Sequence, residues 1–362
     1  MTGCQLLLRV LQAIRYPRQA TRCLLPATRY TLCAALFLLI MACSPKLPVP
    51  DRPAGEYIWP PPPETPRIKW LTQWSHSQDF KKIKTIDVMI REAKLDILFR
   101  PNGVVADEAG NVYVADSQLH KVFVFDVEKQ TLRFLGEKTL DIPVGLAMDN
   151  KRGILFVSDS SRDKVYCLDK NTGRVVMSLM PTGKFDNPSG LVYDDERERL
   201  YASNTRNHIV RVFDRNGQPL FTIGKKGTDD GEFNAPTYLA LDRSGNLYVV
   251  DTFNCRVQVF APDGTFVRKF GRIGDTPGSL ARPAGIGVDS DGNVYVADTA
   301  FDNFQIFNDK GRLLLWVGKA GTGAGEFSAP TGMYIDRKDR IYVTDTFNRR
   351  VQVFQYLRET KS

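Results

Sequence analysis

Over the C-terminal three quarters of the chain, short apolar stretches alternate with polar turns at nearly constant intervals. Aligned on a proline that opens each unit, Pro101, Pro143, Pro188, Pro236, Pro283 and Pro330, the spacings are 42, 45, 48, 47 and 47 residues. The fifth unit shows the pattern. Gly285–Val288 predicts a first strand, Ser290-Asp291-Gly292-Asn293 a turn rich in residues that tolerate positive φ, and Val294–Ala297 a second strand apolar on both faces. In the fourth unit the third and fourth strands follow as Arg256–Phe260 and Phe266–Phe270, separated by an Asp263-Gly264 turn. A strand apolar on both faces needs a neighbouring sheet on each side. Six such units therefore predict an all-β, six-bladed β-propeller of four-stranded antiparallel blades spanning residues 101–357.

The sixth unit stops after its third strand, near Gln355. Ahead of the first unit stands an unassigned apolar stretch, Ile68–Trp74, and pairing it with the last blade would cover two open sheet edges at once. That pairing is the expected closure, with residues 67–100 forming the closing strand and a short helix. The helix is expected over 79–91, where Phe80, Ile83, Ile86 and Ile90 fall near helical spacing.

The repeats resemble the NHL family. The resemblance is carried by Gly227…Gly231-Glu232-Phe233…Pro236 and its equivalents at Gly274…Pro283 and Gly321…Pro330. It continues through Asp251-Thr252-Phe253-Asn254-Cys255-Arg256-Val257-Gln258-Val259-Phe260 and the corresponding run from Asp345 to Phe354. Units four to six match closely. Units two and three are worn, and in the third Asn204 stands where the others carry an acid.

N-terminal to the repeats the pattern changes. A basic stretch ends at Arg29, an apolar run follows over Leu32–Ile40, and Ile40-Met41-Ala42-Cys43 resembles a bacterial lipobox. Nine apolar residues are too few for a stable membrane span. Residues 1–42 are expected to be a lipoprotein signal peptide, with Cys43 acylated as the first mature residue. Ser44 at the second mature position resembles the pattern sorted to the outer membrane. Residues 43–66, with Pro60 to Pro63 among several prolines, are expected to form a semi-rigid tether of roughly 70 Å, at about 3.1 Å per residue of polyproline II. Within it, Tyr57-Ile58-Trp59 is a candidate to dock on the propeller.

The net charge of +8 falls to +3 without residues 1–42, which hold five arginines and no acid. A nucleic-acid partner is therefore not expected. Beyond Cys43 only Cys167 and Cys255 remain, in different repeats, so the core and not a disulfide framework must hold the fold.

Candidate chemistry is sparse. Loops before the first strand and after the second should share one face, with Asn102, Val144, Ser189, Thr237, Ala284 and Thr331 near the channel mouth, all uncharged. The acids ending the second strands, among them Asp251 and Asp345, are expected to cap their own turns and pair with a base five residues on, Arg256 and Arg350. His120 and His208 occupy equivalent turns two blades apart, too dispersed for a three-histidine zinc site. Asp289-Ser290-Asp291-Gly292-Asn293 only superficially resembles a calcium loop, since Ala300 stands where the twelfth-position glutamate belongs. No cofactor, metal site or catalytic residue is expected.

Arg162, Arg206, Phe253, Phe301, Phe347 and Arg349, with His120 and His208, are the candidates for contact at the loop face, because arginine and aromatic groups anchor interfaces. The expected function is a lipid-anchored, non-catalytic binding or scaffold propeller that presents this face to an envelope protein or other ligand. Exported proteins of this type resemble propellers of bacteria rich in multihaem cytochromes, which makes such a cytochrome a candidate partner. The alternative that the NHL resemblance implies is a metal-dependent lyase or hydrolase.

Overall fold

A computed structural model describes residues 57–76, 79, 97–179 and 184–358. The lipobox and the expected helix lie outside these residues, apart from Asp79. Five antiparallel sheets of four strands and one of five follow one another along the chain. Blade one runs from Pro101–Ala106 through Val112–Asp116 and Lys121–Asp126 to Thr131–Leu135. In the five four-stranded blades the strands are ordered as in the sequence, whereas the five-stranded blade combines N-terminal and C-terminal strands. Each opening proline begins the first strand of its blade and pairs with the residue that ends the second: Pro101 with Asp116, Pro188 with Asn204, Pro330 with Asp345. Proline suits this strand-start position because no ladder N–H is required of it.

Why the second strands are apolar on both faces is visible in the core. Alternate residues of a strand point to opposite sides of the sheet. Val112 and Val114 join the apolar cluster between blades six and one, whereas Tyr113 and Ala115 join the cluster between blades one and two. Six clusters of this kind, each spanning two adjacent blades, make up the core. Close to the axis the blades are crowded. A side chain at Gly332 of blade six would run into the Asn102 carbonyl oxygen of blade one.

The ring closes as expected. Ile68–Trp74 pairs antiparallel with Arg350–Tyr356, from Ile68 opposite Tyr356 to Trp74 opposite Val351. Trp74 then lies between the last blade and the first, its ring centroid 6.5 Å from Tyr342 and 6.0 Å from Phe125. Tyr57-Ile58-Trp59 docks by adding a fifth strand: Ile58 and Trp59 pair with Lys69 and Ile68, and Pro60 to Pro63 lie in the connection between these strands. Trp59 packs edge-on against Phe354, 5.9 Å between centroids, and a Cβ at Gly325 (φ +71°) would collide with its ring.

Cys167 and Cys255 are both free and buried. Burial pushes the Cys167 thiol up to about 12, so it stays protonated near neutrality. Alkylation of the native chain at about pH 8, mapped by peptide mass, is expected to leave Cys167 unmodified and to reach it only in denaturant.

Phe354 is fully buried where blade five meets the closing blade, against Phe304 and Phe327. Phe354→Ala is expected to destabilise the fold by about 3–5 kcal/mol in denaturant unfolding. Leu314→Ala, at a position 54% exposed, should stay within about 0.5 kcal/mol of the parent.

Candidate functional site: the loop face and channel mouth

The loop face is held by three sets of contacts, two found in every blade and the third in blades three, four and six. In the first, the residue ending the second strand accepts from backbone N–H groups of the segment that leads into the same blade. Asp116 Oδ2 accepts from Phe99 at 2.7 Å, Asp159 Oδ2 from Asp141 at 2.6 Å, and Asn204 Oδ1 from Asp186 at 2.7 Å. Asp251 Oδ1 accepts from Asn234 at 2.6 Å, Asp298 Oδ2 from Ala281 at 2.7 Å, and Asp345 Oδ1 from Ser328 at 2.7 Å. All six side chains are completely buried. Asp251 and Asp345 also form the expected pairs, with Arg256 Nε at 2.8 Å and Arg350 Nε at 2.7 Å. Desolvation raises the Asp345 carboxyl above its ordinary range, with Arg350 pulling the other way. These carboxylates are therefore occupied by structural bonds and do not form a ring open to a cation.

The second set joins each blade to the next. The fourth residue after the strand-ending acid or Asn204 has φ between +49° and +57° in every blade: His120, Asp163, His208, Cys255, Asp302 and Arg349. From this conformation each reaches the lead-in of the following blade. Asp163 Oδ1 accepts from Asn187 N–H at 2.8 Å and Asp302 Oδ1 from Ala329 N–H at 2.7 Å. His208 Nδ1 accepts from Ala235 N–H at 3.1 Å, and His120 Nδ1 meets the Asp141 carbonyl oxygen. The Cys255 thiol donates to the Ala281 carbonyl at 3.4 Å, and the Arg349 guanidinium lies 4.2 Å from the Phe99 ring centroid, across the seam where the ring closes. Both histidines thus serve as links between blades.

The third set is of hydroxyls around the channel mouth. Ser189 and Thr205 are 2.6 Å apart, Thr237 and Thr252 2.7 Å, and Thr331 and Thr346 2.6 Å. Thr205, Thr252 and Thr346 each donate onward to the opening proline of the next blade: Pro236, Pro283 and Pro101. The turn at Asp289 is likewise satisfied internally, by Asn293 at 2.8 Å and the Tyr295 hydroxyl at 2.9 Å. Equivalent turns at Asp107 and Asp242 carry the same bonds.

At the mouth these loops surround a cavity of about 620 Å³. Arg206, His208, Phe253 and Phe347 line it, as do Asn102, Thr237, Ala284 and Thr331. Phe253 is 70% and Phe347 66% exposed. Tyr238 lines both this cavity and a smaller one of about 240 Å³ deeper along the axis; burial pushes its hydroxyl up to about 12.

Arg162, His120, Phe301 and Arg349 are not part of this lining. Register separates most of them: Phe253, Phe347 and Arg206 are second after the residue ending the second strand, whereas Phe301 and Arg162 are third; His120 and Arg349 are fourth, a position from which His208 does reach the lining. Phe301 is half-buried, and Arg162 reaches back to Asp159 at 3.9 Å. Sequence reasoning missed Arg100 and Arg282, both exposed and both lining the cavity. Their signal was available, because each stands directly before an opening proline, a position the repeat already places at the mouth.

Among known proteins, a family model described as "6-bladed beta-propeller" matches residues 289–361. NHL repeat-containing protein 2 of Homo sapiens is 33% identical over 87 residues, covering 21% of this chain and 12% of that protein; the Bos taurus protein is 29% identical over the same length. The chain therefore spans about an eighth of the curated relatives it matches. Among solved structures, a gluconolactonase from Xanthomonas campestris superposes with a TM-score of 0.59 at 16% identity, over 80% of this chain and 98% of that one. Virginiamycin B lyase from Staphylococcus aureus gives 0.54 at 11% identity, over 80% and 100%. At these identities the structural likeness is one of fold. The chain is an NHL-repeat-like, six-bladed β-propeller.

The first set of bonds makes a graded prediction. Asp298 has no basic side chain five residues on, and blade three performs the same task with Asn204. Asp298→Asn should therefore cost about 1 kcal/mol. Asp345→Asn strands the Arg350 guanidinium, itself 6% exposed, and should cost about 3 kcal/mol or more. Equal midpoint shifts in denaturant titrations of the two variants would refute this account.

Proposed function

We propose that this chain is a lipid-anchored, non-catalytic binding propeller of the cell envelope. Cys43 carries the acyl groups, the proline-rich segment beyond it acts as the spacer, and the loop face engages an envelope protein. The observation that carries the reading is the pair Phe253 and Phe347. Both are large apolar side chains, mostly exposed, at equivalent places on a face that the three bond sets hold rigid. Leaving two such rings in water is unfavourable, and aromatic anchors beside arginines are the usual composition of an interface core. A preorganised face also loses little conformational entropy on association. The lipobox-like Ile40-Met41-Ala42-Cys43 supports the anchor, and the outer membrane is the proposed address on the strength of Ser44. A multihaem cytochrome is the first partner to test.

Two measurements check this. Expressed in bacteria, the chain should label with a fatty-acid tracer and sediment with membranes, and Cys43→Ser should abolish both. Affinity capture from solubilised envelopes should recover a defined protein, with recovery reduced at least about tenfold by combined Phe253→Asp and Phe347→Asp. Capture that is indifferent to these substitutions would overturn the reading.

A further inference from the structure

The cavity at the mouth has an order that neither a general contact surface nor an incidental hollow requires. Around the ring, blade three contributes Arg206, blade four Phe253, blade five Arg282, blade six Phe347 and blade one Arg100. Guanidinium and phenyl groups thus alternate through five consecutive blades. No aspartate or glutamate lines the cavity. Among the described residues, Arg100 and Arg282 have no ion pair or side-chain hydrogen bond, and Arg206 is held only at 3.5 Å by the exposed Asp186.

His208 adds a donor. Its Nδ1 accepts from Ala235 N–H, so the neutral ring carries its proton on Nε2. The hydroxyls at the mouth are engaged with one another and with proline carbonyls. Besides the amides of Asn102 and Asn187 and the Tyr238 hydroxyl, the recognising groups that remain are cationic donors and aromatic faces. Planar guanidinium forks match carboxylate and phosphate oxygens, and phenyl rings match a flat apolar body. A concave site of about 620 Å³ lies within the range that holds small molecules, roughly 300–1,000 Å³.

We propose that the channel mouth binds a small organic anion, an apolar or aromatic body bearing a carboxylate or phosphate. Arg100 and Arg282 take its charge, and Phe253 and Phe347 take its body. This rests on the loop face being a binding face, and it adds the chemical class that the face selects.

The test uses the purified full chain in detergent and matched probes, titrated by calorimetry and by ligand-observed NMR. Benzoate is compared with benzamide, which has the same body without the charge, and phenyl phosphate with inorganic phosphate, which has the charge without the body. Benzoate should bind at least about tenfold more tightly than benzamide, and phenyl phosphate more tightly than inorganic phosphate. Combined Arg100→Ala and Arg282→Ala should weaken benzoate at least about tenfold, and the Arg→Lys pair should recover part of the loss. Because neither arginine is paired, Tm should move by no more than about 2 °C.

Equal affinity for benzoate and benzamide, no binding of benzoate or phenyl phosphate up to about 10 mM, or affinity unchanged in the double alanine variant would overturn the proposal. Protein capture is scored separately with the Phe253→Asp and Phe347→Asp variant. Failed anion binding with capture intact removes the ligand class alone; failure of both removes the binding face as well.

Discussion

Six side-chain acceptors, buried at the ends of the second strands, hold the lead-in loops against the sheets, and the loop face inherits its rigidity from them. A carboxylate withdrawn from water is tolerated only when its lone pairs are answered, and a buried N–H likewise needs an acceptor. Each group therefore satisfies the other. Blade three shows which property matters, since Asn204 accepts the same bond without a charge. In blades four and six an added arginine compensates the charge and reaches further, to backbone carbonyls of the preceding loop.

Closure turns these local bonds into a ring. Each blade buries an apolar face against both neighbours, so a blade with only one neighbour would leave one face in water. The strand Ile68–Trp74 removes that defect at the seam, and the link from Arg349 to Phe99 repeats there the contact made at every other junction. Any spacer preceding Tyr57 joins the propeller at this last blade, through the short strand that Trp59 fastens to Phe354.

The mouth follows from two positions in the repeat: the residue before the opening proline and the second residue after the second strand. Each blade places a larger side chain at one and a smaller at the other. Arg100, Ile142 and Arg282 face Gln118, Ser161 and Ala300; Arg206, Phe253 and Phe347 face Asn187, Ala235 and Ala329. Two loops converge on one rim and there is room for one large group from each pair. The position each blade uses therefore sets where its large group enters the rim, and the residue type at that position sets whether it is a charge or a ring.

Blade number, strand order, the closing strand and the Asp251–Arg256 and Asp345–Arg350 pairs were all legible in the sequence. They depend on periodicity and on short separations, and a repeat displays both directly. Phe253, Phe347, Arg206 and His208 line the mouth and Phe301, Arg162, His120 and Arg349 do not, a division that the sequence pattern did not make. A turn of four residues at positive and negative φ points successive side chains to different places, and composition does not reveal which. The links from His120, Asp163, His208, Cys255, Asp302 and Arg349 to the next blade were invisible for the same reason, since six chemically different residues share a conformation and no motif. Arg100 and Arg282 lie about 180 positions apart and are brought to one cavity by the curvature of the ring. Local pattern thus determined what each blade is, and only the closed ring decided which side chains from different blades share a site.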